Sequence, residues 1–201
     1  MLWLAATPLV LASKSAIRRM LLETAGVPIE VAPADLDERG LEVKAPLQAP
    51  VAIAALLARE KASFVGRSHP GRLILGADQT LSLDGARFSK PADRIAARAQ
   101  LRSLSGRSHE LYSAVAFVQH DAVLFEHVGV ARLTMRALSD RFLDDYLDAV
   151  GEAATASVGA YQLEGLGVQL FERIDGDYFT VLGLPLMTAL DFLRQRGCLA
   201  K

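Results

Sequence analysis

One carboxylate, Asp78, stands inside the apolar run Leu73-Ile74-Leu75-Gly76-Ala77-Asp78-Gln79-Thr80-Leu81. An acid in such a run loses its hydration, a penalty of several kcal/mol unless a cation, a metal or a hydrogen-bond donor compensates it. Asp78 must therefore have a partner. A desolvated acid beside a cation is the arrangement from which enzymes draw a general base, and equally that of a structural ion pair. Gly76 and Ala77 leave open space next to it. Asp84-Gly85 is the dipeptide of a type I′ hairpin turn, so the strand folds back and carries Lys90 toward Asp78. Pro91 then ends the strand and starts a helix.

Two more sources of positive charge lie elsewhere in the chain. Leu9-Val10-Leu11-Ala12 reads as a buried strand, followed by Ser13-Lys14-Ser15 and a helical pattern over residues 16–25 closed by Gly26. Serine hydroxyls, the free N–H groups of a helix start and Arg18 or Arg19 would make an anion trap there. The alternative is a serine cap with solvated arginines. The two arginines point about 100° apart, so one of them faces the turn. A second helix, residues 49–66, has a core face of Ile53, Leu57, Lys61, Phe64 and Val65. Lys61 on that stripe either snorkels to the surface or reaches an anion in a cleft. Between these helices, Asp35-Leu36-Asp37-Glu38 is an acidic loop that could hold Mg²⁺ or Mn²⁺, or be solvated surface.

The remaining elements alternate in the manner of an α/β protein. Residues 27–32, 112–118, 123–133, 168–174 and 178–181 read as strands, with residues 119–122 a long hairpin connection. A helix over residues 92–105, with Ile95, Ala99, Leu101 and Leu104 apolar, ends at Gly106. Ser139 caps a helix that runs to Val150, and Pro185 opens the last helix, ending near Arg196. Residues 153–167 are rich in alanine and glycine, with Tyr161, Gln162 and Glu164 as the large polar groups; small residues allow backbone to approach a ligand closely. There is no internal repeat or low-complexity linker, so two lobes, if present, interleave along one 201-residue domain.

Composition narrows the function classes. With 51% hydrophobic and 22% charged residues, the chain is of soluble globular type. A net charge of −1 gives no global field for nucleic acid, so a polyanion must be met locally. Only five lysines accompany 17 arginines, and three of them, Lys14, Lys61 and Lys90, fall in the segments above. The single cysteine, Cys198, excludes an internal disulfide and fits a reducing, cytoplasmic compartment. The apolar start, residues 1–12, lacks a basic leader and is interrupted by Pro8; no run reaches the roughly 20 apolar residues of a membrane span. The four histidines form no HExxH pattern, which speaks against a zinc site, and GxGxxG, GxxxxGK[ST] and GxSxG are absent.

Read in order, the segments resemble the Maf family of nucleotide pyrophosphatases, also known as septum-formation inhibitors. The matching residues are Leu11-Ala12-Ser13-Lys14-Ser15-Ala16-Ile17-Arg18-Arg19 with Leu21-Leu22, then Asp37-Glu38, Glu60-Lys61-Ala62, Gly76-Ala77-Asp78 and Ser89-Lys90-Pro91. Leu104-Ser105-Gly106-Arg107-Ser108-His109, Glu164-Gly165-Leu166-Gly167 and Gly183-Leu184-Pro185-Leu186 complete the set. Each is weak alone; the ordered series is specific.

The resemblance implies a mixed central sheet flanked by helices, a Maf/ITPase-like α/β fold with two lobes around a cleft. It implies metal-dependent hydrolysis, with Mg²⁺ or Mn²⁺, of nucleoside triphosphates to monophosphate and pyrophosphate, as house-cleaning of the nucleotide pool. The family's catalytic acid falls on Asp78. Its substrate-binding positions fall on Ser13, Arg18, Glu38, Lys61 and Lys90, and Glu38 and Asp78 are the expected metal ligands. Three positions track base choice, here Ile17, Gln79 and Glu164. One subgroup, acting on dTTP and UTP, has arginine, threonine and glutamine there; another, acting on 7-methyl-GTP, has an aromatic residue, glutamine and glutamate. Gln79 and Glu164 match the second, Ile17 matches neither, and Ala16 replaces the family's proline. Family members often form homodimers. The competing expectation is a non-catalytic nucleotide-binding regulator of septum formation, for which cations would suffice and no base would be needed.

Overall fold

The computed structural model describes residues 2–44 and 49–201; Met1, the first residue of the apolar start, lies outside them. Strand β1 (Leu9–Ala12) is buried along its whole length, as a strand covered on both faces must be. It runs parallel between β2 (Ile29–Val31) and β3 (Ile74–Leu83). β3 turns through Asp84 and Gly85, both at positive φ (50° and 83°), into β4 (Ala86–Phe88), as the type I′ dipeptide requires. On its other edge β3 pairs antiparallel with β5 (Ser108–Gln119), then follow β6 (Ala122–Met135) and β7 (Phe171–Asp175). The result is a seven-stranded mixed sheet ordered β2-β1-β3-β5-β6-β7, with β4 attached to β3.

Helices α1 (Ala16–Thr24), α2 (Glu38–Lys44), α3 (Pro50–Gly66), α4 (Arg94–Leu104), α5 (Asp140–Val150), α6 (Tyr178–Val181) and α7 (Leu186–Gln195) flank the sheet. Three short 3₁₀ turns, Gly151–Thr155, Val158–Ala160 and Leu166–Leu170, stand where small residues are concentrated. The main core includes Leu75, Phe117, Leu133 and Leu193, and the Phe117 ring lies 4.5 Å from that of Phe192. None of the described helices is long and apolar enough to cross a membrane.

Several elements differ from the sequence expectation, each for a local reason. Residues 178–181 form a helical turn because Asp177 Oδ2 accepts hydrogen bonds from Thr180 N (2.8 Å) and Oγ1 (3.0 Å); this cap overrides the strand preference of Tyr-Phe-Thr-Val. Strand β7 starts at Phe171, after a 3₁₀ turn. Pro91 does not start α4: Asp93 caps it, accepting from Ala96 N at 2.8 Å. Pro185 stands one residue before α7, at its cap position. Both strands of the β5/β6 hairpin are longer than expected, joined by a tight turn in which His120 and Asp121 are left-handed. The acidic segment ends in α2, with Glu38 its first residue. Phe64 and Ile95 point outward, Ile95 being 81% exposed.

Gly76 is where helix and sheet come closest. A Cβ there would lie 2.0 Å from Ala58 O and 2.8 Å from Ala62 N, so the space beside the strand is filled by the backbone of α3. Ala54 and Ala58 extend the contact against Ala114 and Ala116 of β5, a layer of methyl groups that lets the helix axis sit low. Gly76→Ala would force this helix off the sheet. It should destabilise the protein by about 3 kcal/mol, read as a fall in the urea midpoint at unchanged slope.

Candidate active site

The close approach at Gly76 determines what faces Asp78. Ala58 and Ala62 of α3 rest on Gly76, and the side chain of the intervening Lys61 turns toward the next carboxylate along β3. Lys61 Nζ lies 2.7 Å from Asp78 Oδ1 and 2.9 Å from Glu38 Oε1. The ammonium is thus bracketed by two acids, with the Lys61 side chain only 12% exposed. Burial pushes the Asp78 carboxyl above its usual range, and the charges of Lys61 and Arg18 pull it back down.

Arg18 closes the same site from α1. Its Nε donates to Gly183 O (2.8 Å), and Nη1 donates to Ala77 O (2.8 Å) and Ser13 Oγ (3.1 Å). The guanidinium ties the end of β1, the backbone beside Asp78 and the turn before Pro185 together. Burial lowers its pKa from the ordinary arginine value, opposed by the nearby charges of Asp78 and Glu38. Ser15 caps α1, its hydroxyl accepting from Arg18 N at 3.4 Å, and Ser13 Oγ accepts from Ser15 N at 3.3 Å. Arg19 turns away to pair with Glu23 at 2.9 Å, as the angle between neighbouring helix positions demands.

All nine residues singled out from the sequence, Ser13, Ile17, Arg18, Glu38, Lys61, Asp78, Gln79, Lys90 and Glu164, line one cleft of about 630 Å³. The cation that meets Asp78 is that of Lys61; the hairpin carries Lys90 into the same cleft, where it is exposed. The acidic segment divides its labour. Asp37 Oδ1 accepts from Gly40 N (2.9 Å), while Glu38 reaches the cleft. Glu38 and Asp78, the two acids expected as metal ligands, both turn to the Lys61 ammonium, and among the described residues no group of three or more acidic, histidine or cysteine side chains gathers that could hold a metal ion. Lys14, Ser157, Tyr161, Gln162 and the turn at Gly183 also line the cleft. Each lies in a segment the sequence had marked: Lys14 in the Ser13-Lys14-Ser15 turn, Ser157, Tyr161 and Gln162 in the small-residue stretch, and Gly183 in the Gly183-Leu184-Pro185 motif.

Gln79 follows Asp78 on β3, and its Oε1 and the Arg18 guanidinium both lie within 3.6 Å of the place a Cβ on Gly183 would take. Its Nε2 donates to Ser113 Oγ (2.9 Å), Val181 O (3.0 Å) and Thr180 O (3.3 Å). With its amide nitrogen committed to these acceptors, the side chain retains Oε1 as its free group, an acceptor. Gln79→Glu would set a carboxylate against two backbone carbonyls. It should destabilise the protein by about 2 kcal/mol at neutral pH, measured by urea denaturation, with recovery as the new acid is protonated.

The Maf-like protein family profile matches residues 8–196. A protein of Rhodopseudomonas palustris named nucleoside triphosphate pyrophosphatase is 58% identical over 199 residues, covering 99% of this chain and 98% of its own. A protein of Rhizobium etli named 7-methyl-GTP pyrophosphatase is 52% identical over 193 residues, covering 94% of this chain and 96% of its own. Among solved structures, the dITP/XTP pyrophosphatase of Mycobacterium abscessus gives a TM-score of 0.39 at 18% identity over 95% of each chain, a likeness too distant to bear on the chemistry. A profile spanning nearly the whole chain and relatives above half identity make this protein a member of the Maf-like family.

Proposed function

We propose that this protein hydrolyses nucleoside triphosphates to nucleoside monophosphate and pyrophosphate, removing unwanted nucleotides from the pool. The observation that carries the reading is Lys61 held between Asp78 and Glu38 in the cleft, in a chain whose relatives bear that activity in their names. A regulator that only bound nucleotide would gain nothing from a desolvated carboxylate beside the phosphate cations.

A triphosphate brings about four negative charges, which a partly buried cleft must offset with cations and N–H donors. Lys61, Lys90, Arg18 and the start of α1 with Ser13 supply them. Asp78 takes a proton from water, whose oxygen attacks the α-phosphorus as the bond to the bridging oxygen of the β-phosphate breaks. Pyrophosphate leaves with that bridging oxygen. Glu38 and Asp78 are the residues that would hold a divalent cation, Mg²⁺ or Mn²⁺, which would supply charge shielding for the phosphates and a more acidic water.

Gln79 Oε1 and the Glu164 carboxylate, both on the cleft, are the two acceptors this reading assigns to the base. Guanine presents adjacent N–H donors on one edge, whereas thymine and uracil present one between two carbonyls. The arrangement favours a guanine nucleotide, 7-methyl-GTP included, and Ile17 contributes apolar contact in place of an aromatic ring. Pyrophosphate release with Mg²⁺ or Mn²⁺ across normal and methylated triphosphates tests both parts. No release from any of them would reject the hydrolase, and a preference for dTTP or UTP would reject the base assignment.

Asp78→Asn should retain nucleotide binding, because Arg18, Lys61 and Lys90 remain to meet the phosphates, and lose at least about 10²-fold in kcat as the base and one expected metal ligand are removed together. The pH profile follows from the same pair. The working form of Asp78 is the carboxylate, so kcat/KM falls as pH drops through its pKa; Lys61 holds that pKa down. In Lys61→Met the acid limb of kcat/KM should therefore move to higher pH, besides the plateau falling from the lost phosphate contact.

A further inference from the structure

A buried pair that reaches the cleft wall through Tyr161 has no part in the phosphate chemistry. His109, 1% exposed on β5, places Nε2 2.7 Å from the hydroxyl of Tyr161, and its Nδ1 is buried with no hydrogen-bond partner. Burial lowers the imidazole pKa to about 4, so the ring is neutral at physiological pH. One nitrogen of a buried imidazole is left orphaned so that the other can hold Tyr161, an expense that packing alone would avoid with leucine.

Tyr161 is the point from which the wall hangs. Its ring meets Phe171 edge-on at 4.8 Å, and its carbonyl accepts from Ser157 Oγ at 2.5 Å. Just before it, Gly159 and Ala160 are both left-handed, at φ 80° and 62°; for alanine this is a strained conformation that surrounding contacts must hold. A Cβ on Gly159 would lie 2.7 Å from the Tyr161 ring, so that ring is seated on bare backbone. Just after it, the chain alternates: Leu163 is buried, while Gln162 and Glu164 face the cleft. The loop then closes tightly, Gly165 N donating to Gln162 O at 3.2 Å, and Gly167 leaves no room for a side chain over Gln162.

We propose that His109 and Tyr161 are positioning residues for base selection: their hydrogen bond clamps the strained segment that presents Glu164 and Gln162 to the nucleobase. This rests on the reading of the cleft as a triphosphate site. The pair acts on the residues assigned to the base, so its loss should relax discrimination and leave the step at Asp78 intact.

Tyr161→Phe removes only the hydroxyl and keeps the ring. It should raise KM for the preferred triphosphate about tenfold and reduce the kcat/KM ratio between guanine and pyrimidine triphosphates by a similar factor, with kcat within about twofold of wild type. His109→Leu should do the same and His109→Gln, which can still hydrogen-bond the hydroxyl, should restore part of the ratio. If His109→Leu fails to fold, Tyr161→Phe alone decides. An unchanged KM and ratio, whatever the change in Tm, would make the pair mere packing and overturn the proposal, as would a fall in kcat at constant KM. A wild type that releases no pyrophosphate would overturn the hydrolase reading and this inference with it; selective wild-type turnover with a variant of equal selectivity would overturn this inference alone.

Discussion

The pairing of Lys61 with Asp78 in a site closed to most solvent is the constraint from which the rest of the structure follows. A carboxylate at the middle of a central strand is tolerable only if a cation reaches it, and a lysine can do so only from an element lying directly on that strand. Gly76 makes this geometry available by letting the backbone of α3 settle onto β3 two residues before the acid. The alanines of the same helix, Ala54 and Ala58, maintain the low contact across to β5. Packing and electrostatics are therefore one problem here. Any side chain that lifts α3 also draws the ammonium from its carboxylate.

Around this pair the fold gathers groups of very different sequence separation. Arg18 comes from the first βα unit, Glu38 from the start of α2, Lys90 from beyond the β3/β4 hairpin, and the Gly183 carbonyl from the C-terminal third. Arg18 shows why a residue expected to hold phosphate can also be structural. Three of its hydrogen bonds go to the protein itself, fixing the cleft walls relative to one another. A guanidinium so engaged is preorganised, so its contribution to an arriving polyanion carries little entropic penalty.

The cleft is built on two different principles. Around Asp78 charges of opposite sign compensate one another, with the Lys61 and Asp78 side chains only 12% and 11% exposed, an arrangement suited to electrostatic stabilisation. Around Gln79 and Tyr161 the cleft is held instead by neutral hydrogen bonds and left-handed backbone, which fix the directions of the acceptors there. Groups held by such a network keep their directions only while every supporting contact is in place.

The sequence by itself determined the strands β1 and β3, the type I′ turn at Asp84-Gly85, the serine caps of α1 and α5, and the need of Asp78 for a cation, because each is a local consequence of residue type. The order of its motifs also determined the family, and with it a set of residues that share a cleft. What only the tertiary structure decided is which cation answers Asp78: along the chain the hairpin points to Lys90, and the seating of α3 on Gly76 brings Lys61 there instead. Likewise the donor and acceptor roles of the Gln79 amide became fixed by carbonyls about a hundred residues away in sequence. The helical turn at residues 178–181 replaced an expected strand because one capping carboxylate outweighs weak strand preferences over so short a segment. His109 and Tyr161 stood out separately, one in the Leu104 to His109 motif and one among the small residues 153–167, but their pairing did not, since a buried hydrogen bond between distant residues exists only once the chain has folded around it.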